Sequence, residues 1–271
     1  MNIFNTIRTL YTPVQPTVRN VDEHVTYLEF LPDEKLRDYI YCYWQLKTIN
    51  KLTSQFNYRV VADGCIDIFF EPGNVKETFV MGFCRKYTVF PLEDGFNYIG
   101  IRFLPTMFPQ IFKVDAGAIS NKAEHLSLVV PKVCDFIAGN FTSVESVHQT
   151  KLLLDEFLSG WIRNVKFNND GRLYEAIDII LKNYGTLNVE TELQTGISPR
   201  QLRRLFHYYI GDSPKTFSKV VRFQNILKAK PSVQSLKKNK LFFDVGYFDQ
   251  THFIKEFKNF YGVTPVKAFG R

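Results

Sequence analysis

The sequence predicts a two-domain α+β protein, with a β-rich, sandwich- or barrel-like N-terminal domain followed by an all-α C-terminal domain. Its 271 residues reach the length of about 250–300 residues at which chains divide into separate cores. The hydrophobic pattern changes from strand-like in the first half to helical in the second. A polar, turn-forming segment, KFNNDG at 166–171, separates the two patterns. We therefore expect a β-rich domain over residues 1–142, an amphipathic helix and linker over 143–171, and a helical domain over 172–271.

Runs of β-branched and aromatic residues, interrupted by Pro, Gly and Asp, predict strands across residues 25–115. The segment Asp33–Leu46 is predicted as the one helix of this region, because apolar residues recur there at helical spacing. Those residues are Leu36, Tyr39, Ile40 and Tyr43. The runs predicted as strands are VTYLEF, YRVVADGCIDIFFEP, ETFVMGF, KYTVFPLE and NYIGIRFLP.

An amphipathic helix is predicted from about Ser143 to Val165, and a shorter one, Pro131–Gly139, before it. The long helix carries a broad apolar stripe that includes Trp161. Such a stripe either packs on the β-rich domain or pairs with a second subunit, and the sequence leaves both alternatives open. A homodimer through residues 145–165 is therefore one expectation.

The pattern after the linker is helical throughout, and Gly, Ser-Pro and Thr-Pro pairs mark the helix ends. We expect helices over Arg172–Tyr184, Val189–Thr195, Pro199–Tyr209, Pro214–Lys228, Leu241–Val245 and Asp249–Phe260.

The positive charge of the chain lies entirely in this helical part. Residues 172–271 hold 17 basic and 8 acidic side chains, a net charge of +9, whereas residues 1–171 hold 17 and 19, a net charge of −2. Such an asymmetry indicates a polyanionic partner, either nucleic acid or an anionic membrane surface. The alternative is a solvated basic face without a partner.

Composition excludes several classes of protein. An apolar fraction of 45% with 23% charged residues is typical of a folded protein and excludes wholesale disorder. No stretch approaches the roughly 18–20 apolar residues of a membrane span, and the N-terminus lacks the apolar core of a secretion signal. The four cysteines form no C-x-x-C pair, and the five histidines have no metal-site spacing. We expect a cytoplasmic protein with no membrane partner, no metal and no cofactor.

Two segments of the helical region are built alike: TELQTGISPRQLRRLFHYYIGDSP from Thr191 and LFFDVGYFDQTHFIKEFKNFYGVTP from Leu241. In each, a short helix, a Gly turn and a second helix end in Gly-x-[Ser/Thr]-Pro. This arrangement is that of a helix-turn-helix, whose second helix enters a major groove of DNA. One such unit is a weak signal, but two in a segment of charge +9 are a much stronger one.

The polar residues of the two second helices are the candidates for DNA contact. In the first helix, Leu202, Leu205 and Phe206 are spaced to face the core, and in the second the apolar stripe is Phe253, Phe257 and Phe260. Arg and Gln side chains can form bidentate hydrogen bonds to guanine and adenine edges. For His252, an exposed or capping role is an equal alternative. The candidates are Arg200, Gln201, Arg203, Arg204, Gln250, Thr251, His252 and Lys255.

Residues 172–271 resemble the DNA-binding domain of AraC/XylS-family transcription regulators. The motifs that carry the resemblance are Gly196-Ile197-Ser198-Pro199, Leu202-Arg203-Arg204-Leu205-Phe206, Gly211-x-Ser213-Pro214, Arg222, Val245-Gly246-Tyr247-x-Asp249-Gln250, His252-Phe253, Phe257-Lys258 and Gly262-Val263-Thr264-Pro265. The resemblance implies two helix-turn-helix subdomains joined by the long helix Pro214–Lys228. Their recognition helices would enter successive major grooves, about 34 Å apart. It also assigns the eight candidates above as DNA contacts.

Three positions of the short helices depart from the family pattern. Glu192 and Phe242 stand where a small Ala is usual, four residues before each turn Gly, and Thr191 replaces the usual Leu. Larger side chains at these sites predict a short helix that is displaced from its recognition helix or shifted in register.

The N-terminal half is similar to a β-rich domain found in a subset of these regulators, and this similarity implies a sensor or dimerisation domain. The matching pieces are Leu36-x-x-Tyr39-Ile40-x-x-Tyr43-Trp44, Asp63-Gly64-Cys65-x-Asp67-Ile68-x-Phe70, Met81-Gly82 and Gly100-Ile101-Arg102-Phe103-x-Pro105. Asp63 and Asp67 could act as an acid–base pair and Cys65 as a reactive thiol. A turn cap at Asp63, an Arg102–Asp67 ion pair and a buried Cys65 are the favoured readings.

The sequence therefore predicts a sequence-specific regulator that binds double-stranded promoter DNA and responds to a small-molecule effector through its N-terminal domain, with no catalytic residues. Two alternatives remain open. One is a regulator whose first helix-turn-helix has lost base readout and which acts through protein–protein contacts. The other is an enzyme domain fused to a DNA-binding domain.

Overall fold

The computed structural model describes residues 3–16, 24–52, 54–93, 95–143, 146–232, 234, 246–247 and 249–270. The first half of this part is rich in strands and the second half is helical, as the sequence predicts. The strands are β1 (Val25–Phe30), β2 (Ile40–Thr48), β3 (Phe56–Val60), β4 (Ile66–Glu71), β5 (Asn74–Met81), β6 (Thr88–Leu92), β7 (Asn97–Phe103) and β8 (Ala123–His125). The helices are α1 (Ile3–Leu10), α2 (Met107–Phe112), α3 (Leu126–Val129), α4 (Pro131–Asn140), α5 (Val147–Ile162), α6 (Gly171–Lys182), α7 (Pro199–Ile210), α8 (Pro214–Ala229), α9 (Gln250–Tyr261) and α10 (Pro265–Phe269).

In the described part of the N-terminal domain the strands form two antiparallel sheets. The larger has six strands in the order β1-β2-β7-β4-β5-β8, and the smaller pairs β3 with β6. Successive side chains of a strand point to opposite faces, so β4 sends Ile66, Ile68 and Phe70 into the main core and Asp67 and Phe69 to the other side. That other side meets β3–β6, which gives a sandwich-like domain.

The prediction of Asp33–Leu46 as the one helix of residues 25–115 is wrong, because this segment is not an α-helix and α2 (Met107–Phe112) lies in the same region. Asp33 caps a short 3-10 turn, Glu34–Leu36, and the chain then enters strand β2 at Ile40. β2 lies between β1 and β7 and is hydrogen-bonded to both. Pairing on both sides, with the preceding strand β1 and the distant strand β7, therefore overrides the local helical spacing, and the aromatic and β-branched residues of the segment suit a strand.

Helix α5 packs on its own N-terminal domain. Leu154 and Leu158 are fully buried in the main core, and the Phe157 ring stacks on Phe136 at 3.7 Å between centroids. The Trp161 indole Nε1 donates a hydrogen bond to the Ile111 carbonyl at 3.3 Å. The apolar stripe of this helix is thus covered within the chain, the first of the two predicted alternatives.

The segment 166–171 is held against both domains. Gln110 of α2 donates to the Asn168 carbonyl at 2.7 Å and accepts from the Asn168 amide at 2.9 Å. Phe167 stacks on Tyr39 at 5.1 Å. The predicted linker is therefore a packed connection between α5 and α6.

Helices α6 to α9 begin and end within one or two residues of the predicted bounds, whereas α10 was not predicted and one predicted helix is absent. Instead of the predicted helix Val189–Thr195, residues 189–192 form a single turn, in which the amides of Thr191 and Glu192 donate to the Asn188 carbonyl. Glu192 is exposed and its carboxylate accepts from the Asn188 amide. The predicted helix Leu241–Val245, with Phe242, lies outside the described residues.

Candidate nucleic-acid interface and interior cavity

Helix α7 presents four candidate DNA contacts to solvent. Ser198 caps the helix, and Pro199 takes the first helical position, where a missing N–H costs nothing. Leu202 and Phe206 are buried against the core. The exposed side chains are Arg200, Gln201, Arg203 and Arg204.

Gln201 also belongs to the cap of this helix. Its Oε1 accepts from the Ser198 amide at 3.1 Å, while the Ser198 hydroxyl accepts from the Gln201 amide at 3.2 Å. This reciprocal pair is a capping box. The two amide N–H donors of Gln201 remain available for a base edge.

Helix α9 presents the other four candidates in the same manner. Asp249 caps it by accepting from the His252 amide at 2.7 Å. Phe253, Phe257 and Phe260 are buried, as predicted. Gln250, Thr251, His252 and Lys255 are exposed.

The placement of α9 depends on a buried ion pair that the sequence analysis did not identify. Glu256 lies in the apolar stripe of α9, and one of its oxygens accepts from Arg222 Nη2 of α8 at 2.7 Å. Arg222 also donates to the Gly246 carbonyl at 3.1 Å and lies 4.0 Å above the Tyr247 ring. Burial would raise the pKa of Glu256, but Arg222 and Lys219 hold it below its usual value. The sequence feature that could have identified this ion pair is an acidic residue within the apolar stripe of a helix.

The turn between β3 and β4 connects the N-terminal domain to α8 and α9. Gln224 of α8 donates to the Ala62 carbonyl at 2.7 Å, and the Ala62 amide faces the Phe260 carbonyl at 3.4 Å. Gly64 has φ +72°, and a Cβ there would lie 3.3 Å from the Phe217 ring of α8. Glycine suits this position both in conformation and in space.

Asp63, Asp67 and Arg102 form a buried ionic cluster at the same turn, and it confirms the favoured readings of these residues. The Asp63 carboxylate accepts from the Cys65 amide at 3.0 Å, which caps the turn. Arg102 is 1% exposed, and its Nη2 lies 3.0 Å from Asp67 Oδ2. Burial raises the pKa of the Cys65 thiol, so this cysteine is not an activated nucleophile.

A half-open cavity of about 260 Å³ lies between the larger sheet and β3–β6. Aromatic rings dominate its wall, and Asp63, Asp67 and Glu77 supply the carboxylates. The Trp44 ring lies flat on Gly100, where any Cβ would collide with it. The aromatic residues that line the cavity are Trp44, Tyr58, Phe69, Phe79, Phe90 and Tyr98.

Two features are absent from the described residues. No group of three His, Cys, Asp or Glu side chains there is arranged to hold a metal ion. In the same part of the chain, no helix has the length and apolar character needed to cross a membrane.

Comparison with known protein families gives two matches, one in each half of the chain. A family model described as a helix-turn-helix domain, of AraC type, matches residues 193–271. Residues 193–271 form an AraC-type helix-turn-helix domain. A second model, a domain of unknown function (DUF6597), matches residues 28–125.

The AraC-type domain contains α7, α8 and α9 and thus all eight candidate contacts. Its match begins at Leu193, directly after the turn that replaces the predicted short helix. AraC-type domains bind DNA and regulate transcription, so the chain is a DNA-binding regulator.

Among solved structures, the chain is similar to ToxT from Vibrio cholerae. ToxT of strain O395 bound to (E)-4-(8-methylnaphthalen-1-yl)but-3-enoic acid is 11% identical, with a TM-score of 0.44 over 92% of this chain and 99% of that one. Wild-type ToxT of strain SCE256, bound to an unsaturated fatty acid, is 14% identical, with a TM-score of 0.39 over 83% and 94%. These scores are too low to transfer any property of ToxT to this chain. No curated protein matches it significantly.

Proposed function

We propose that this protein is a sequence-specific transcription regulator in which α7 and α9 contact promoter DNA and the β-rich domain responds to a small molecule. The observation that carries the first part is the pair of capped helices whose polar residues are solvent-exposed within a domain of charge +9. Arg and Gln side chains on such helices can reach base edges in the major groove. The domain boundaries that we propose remain 1–142, 143–171 and 172–271.

The arrangement around the β3–β4 turn supports the effector-responsive part of the proposal. Asp63 lines the cavity, and Ala62 and Gly64, its neighbours in the chain, contact α8. A ligand that bound one position of this turn more tightly would favour one placement of α8 and α9. Its effect is limited by its differential affinity for the two placements.

One observation favours a second candidate function. Residues 189–192 form a turn instead of a helix, so the first helix-turn-helix lacks the regular short helix that normally crosses the DNA backbone. A regulator that reads DNA through α9 alone and uses the first unit for protein contacts is therefore the alternative. No observation favours an enzyme, because Cys65 is buried and Asp67 is paired with Arg102.

The test measures DNA binding with double-stranded fragments enriched from a random-sequence pool. We expect Arg203→Ala and Lys255→Ala each to lower affinity about tenfold to a hundredfold, or roughly 1–3 kcal/mol per lost base contact. Lys182→Ala on α6 removes the same charge from an exposed site outside both helices and should change affinity little.

The two candidate functions predict different footprints and different mutant responses. Protection of two successive groove segments, with losses in both variants, supports the proposal. Protection of one segment, with a loss only for Lys255→Ala, supports the alternative. Unchanged affinity and unchanged sequence preference in both variants would overturn the assignment of the two helices.

A further inference from the structure

The cavity wall contains a closed set of four aromatic rings. Trp44 contacts Tyr58 at 6.4 Å and Phe69 at 6.3 Å between ring centroids. Phe90 closes the set, at 6.3 Å from Tyr58 and 6.1 Å from Phe69. These rings come from both sheets, so β3–β6 supplies one side of the enclosure and the larger sheet supplies the other.

The charges at the cavity have one sign. Its lining contains three carboxylates, from Asp63, Asp67 and Glu77, and no Lys, Arg or His among the described residues. The guanidinium of Arg102, which is not part of the lining, is shared by three carboxylates. These are Asp67 at 3.0 Å, Asp63 at 3.4 Å and Glu29 at 3.5 Å.

Asp63 and Asp67 are both largely buried beside this one guanidinium, so they leave a surplus of negative charge where an unpaired charge is costly. Burial accordingly raises the pKa of Asp67 to about 6, although Arg102 opposes the shift. A cation in the cavity would balance this surplus, whereas a carboxylate ligand would add to it. Aromatic rings attract cations through their negative faces, most strongly where water is excluded.

We propose that the cavity binds a small organic cation, an ammonium group carried on an apolar or aromatic body. The ammonium lies among Trp44, Tyr58, Phe69 and Phe90 on the side of Asp67, and the apolar body fills the remainder. A volume of about 260 Å³ is near the lower end of ligand pockets, which span about 300–1,000 Å³, and suits a compact molecule. The ligand's role as effector rests on the proposed function, but its binding does not.

The experiment titrates the full-length protein, without DNA, with matched probes by calorimetry. The cations are tetramethylammonium, benzyltrimethylammonium and phenethylammonium. The first control is neopentylbenzene, the uncharged carbon isostere of benzyltrimethylammonium, and the second is phenylacetate, which carries the opposite charge. We expect at least one cation to bind, and its uncharged or acidic counterpart to bind about tenfold more weakly or not at all. This difference in affinity would reflect about 1–2 kcal/mol of cation–π and ionic attraction.

Two variants connect the binding to the cavity. Asp67→Asn should lower cation affinity about tenfold, and Phe90→Leu, which keeps the site apolar, about threefold to tenfold. The matched controls are Glu124→Gln on β8 and Phe136→Leu. The Phe136 ring of the wild type stacks on Phe157 outside the cavity. Both control variants should bind as the wild type does. If Asp67→Asn does not fold, the cavity assignment is tested by Phe90→Leu and by the comparison of probes on the wild-type protein.

Several outcomes would overturn the assignment. The first is the absence of binding by all three cations up to about 10 mM, a concentration at which binding free energies of only a few kcal/mol are still detected. The second is equal binding of phenylacetate or the carbon isostere. The third is cation binding that is unchanged in both cavity variants. DNA affinity is then measured with and without the bound cation. Cation binding that leaves DNA affinity unchanged would keep the ligand assignment and overturn only the effector-responsive part of the proposed function.

Discussion

Gln201 occupies a position where one side chain can serve two purposes. Its carbonyl oxygen completes the capping box with Ser198, and its exposed amide can donate to a base. A capping interaction stabilises a helix by about 1 kcal/mol, so removal of the side chain would disturb the helix and the DNA contact together. A substitution that keeps the cap is needed to separate the two.

Gln201→Glu provides this separation, because glutamate also completes a capping box. We expect the free energy of unfolding to change by less than about 0.5 kcal/mol. We also expect the preferred base at one operator position to change, since Gln pairs with adenine whereas Glu accepts from cytosine. The measurement is selection from a random-sequence pool with each protein. A uniform loss of affinity with the same preferred sequence would show that Gln201 only caps.

At the residue scale, the sequence predicted contacts between residues close in the chain. It also predicted a pair of side chains on neighbouring strands, because alternate residues of a strand point to the same face. The cap at Asp63 depends on a residue two positions away, and the Arg102–Asp67 pair faces one side of two neighbouring strands. Both were predicted. The aromatic enclosure of the cavity was not, because its four rings come from different strands and only the sheet pairing brings them together.

At the scale of elements, helical spacing predicted the helices that pack through one face, such as α5 and α8, within a few residues. It failed at Asp33–Leu46 because three or four residues at that spacing also fit a strand paired on both sides. It failed again at Val189–Thr195, where Glu192 binds the Asn188 amide and the helix ends after one turn. The first failure is decided by strands paired with the segment, and the second by a local contact between a side chain and the backbone.

The contact between α8 and α9 gives a prediction at this scale. Arg222→Ala leaves Glu256 buried without its main partner, and breaking one side of a buried pair costs about 3–5 kcal/mol. We expect this loss in urea unfolding, and Arg222→Lys should not restore it fully, because lysine lacks the forked geometry that reaches Glu256 and Gly246.

Removal of both partners provides the control for this prediction. Arg222→Ala combined with Glu256→Ala should be less destabilised than the sum of the two single variants, since neither charge is then left unpaired. Additive losses in the double-mutant cycle would contradict a direct coupling between the two side chains.

At the scale of the whole molecule, the two domains share one hydrophobic core. It extends from Ile68 and Phe103 in the larger sheet, through Ile177 of α6, to Phe223 of α8 and Phe257 of α9. Buried polar groups cross the same junction, since Gln224 binds both Val14 and Ala62. The cavity rings belong to a second cluster of the N-terminal domain, and the turn that carries Asp63 connects the cavity to α8 through Ala62.

This shared core predicts that the described domains unfold together. We expect one calorimetric transition with equal calorimetric and van't Hoff enthalpies, although a chain of two domains ordinarily departs from two-state behaviour.

Gln224→Leu tests the junction between the two domains. It leaves the Val14 amide and the Ala62 carbonyl unpaired, and each unsatisfied buried group costs about 1–3 kcal/mol. The variant should lower the single transition temperature or split it in two. Asn225→Leu, next along α8 and, among the described residues, bonded only within its own helix, should leave one transition. Two transitions in the wild-type protein would contradict a common core and, with it, direct communication between the cavity and the DNA-binding helices.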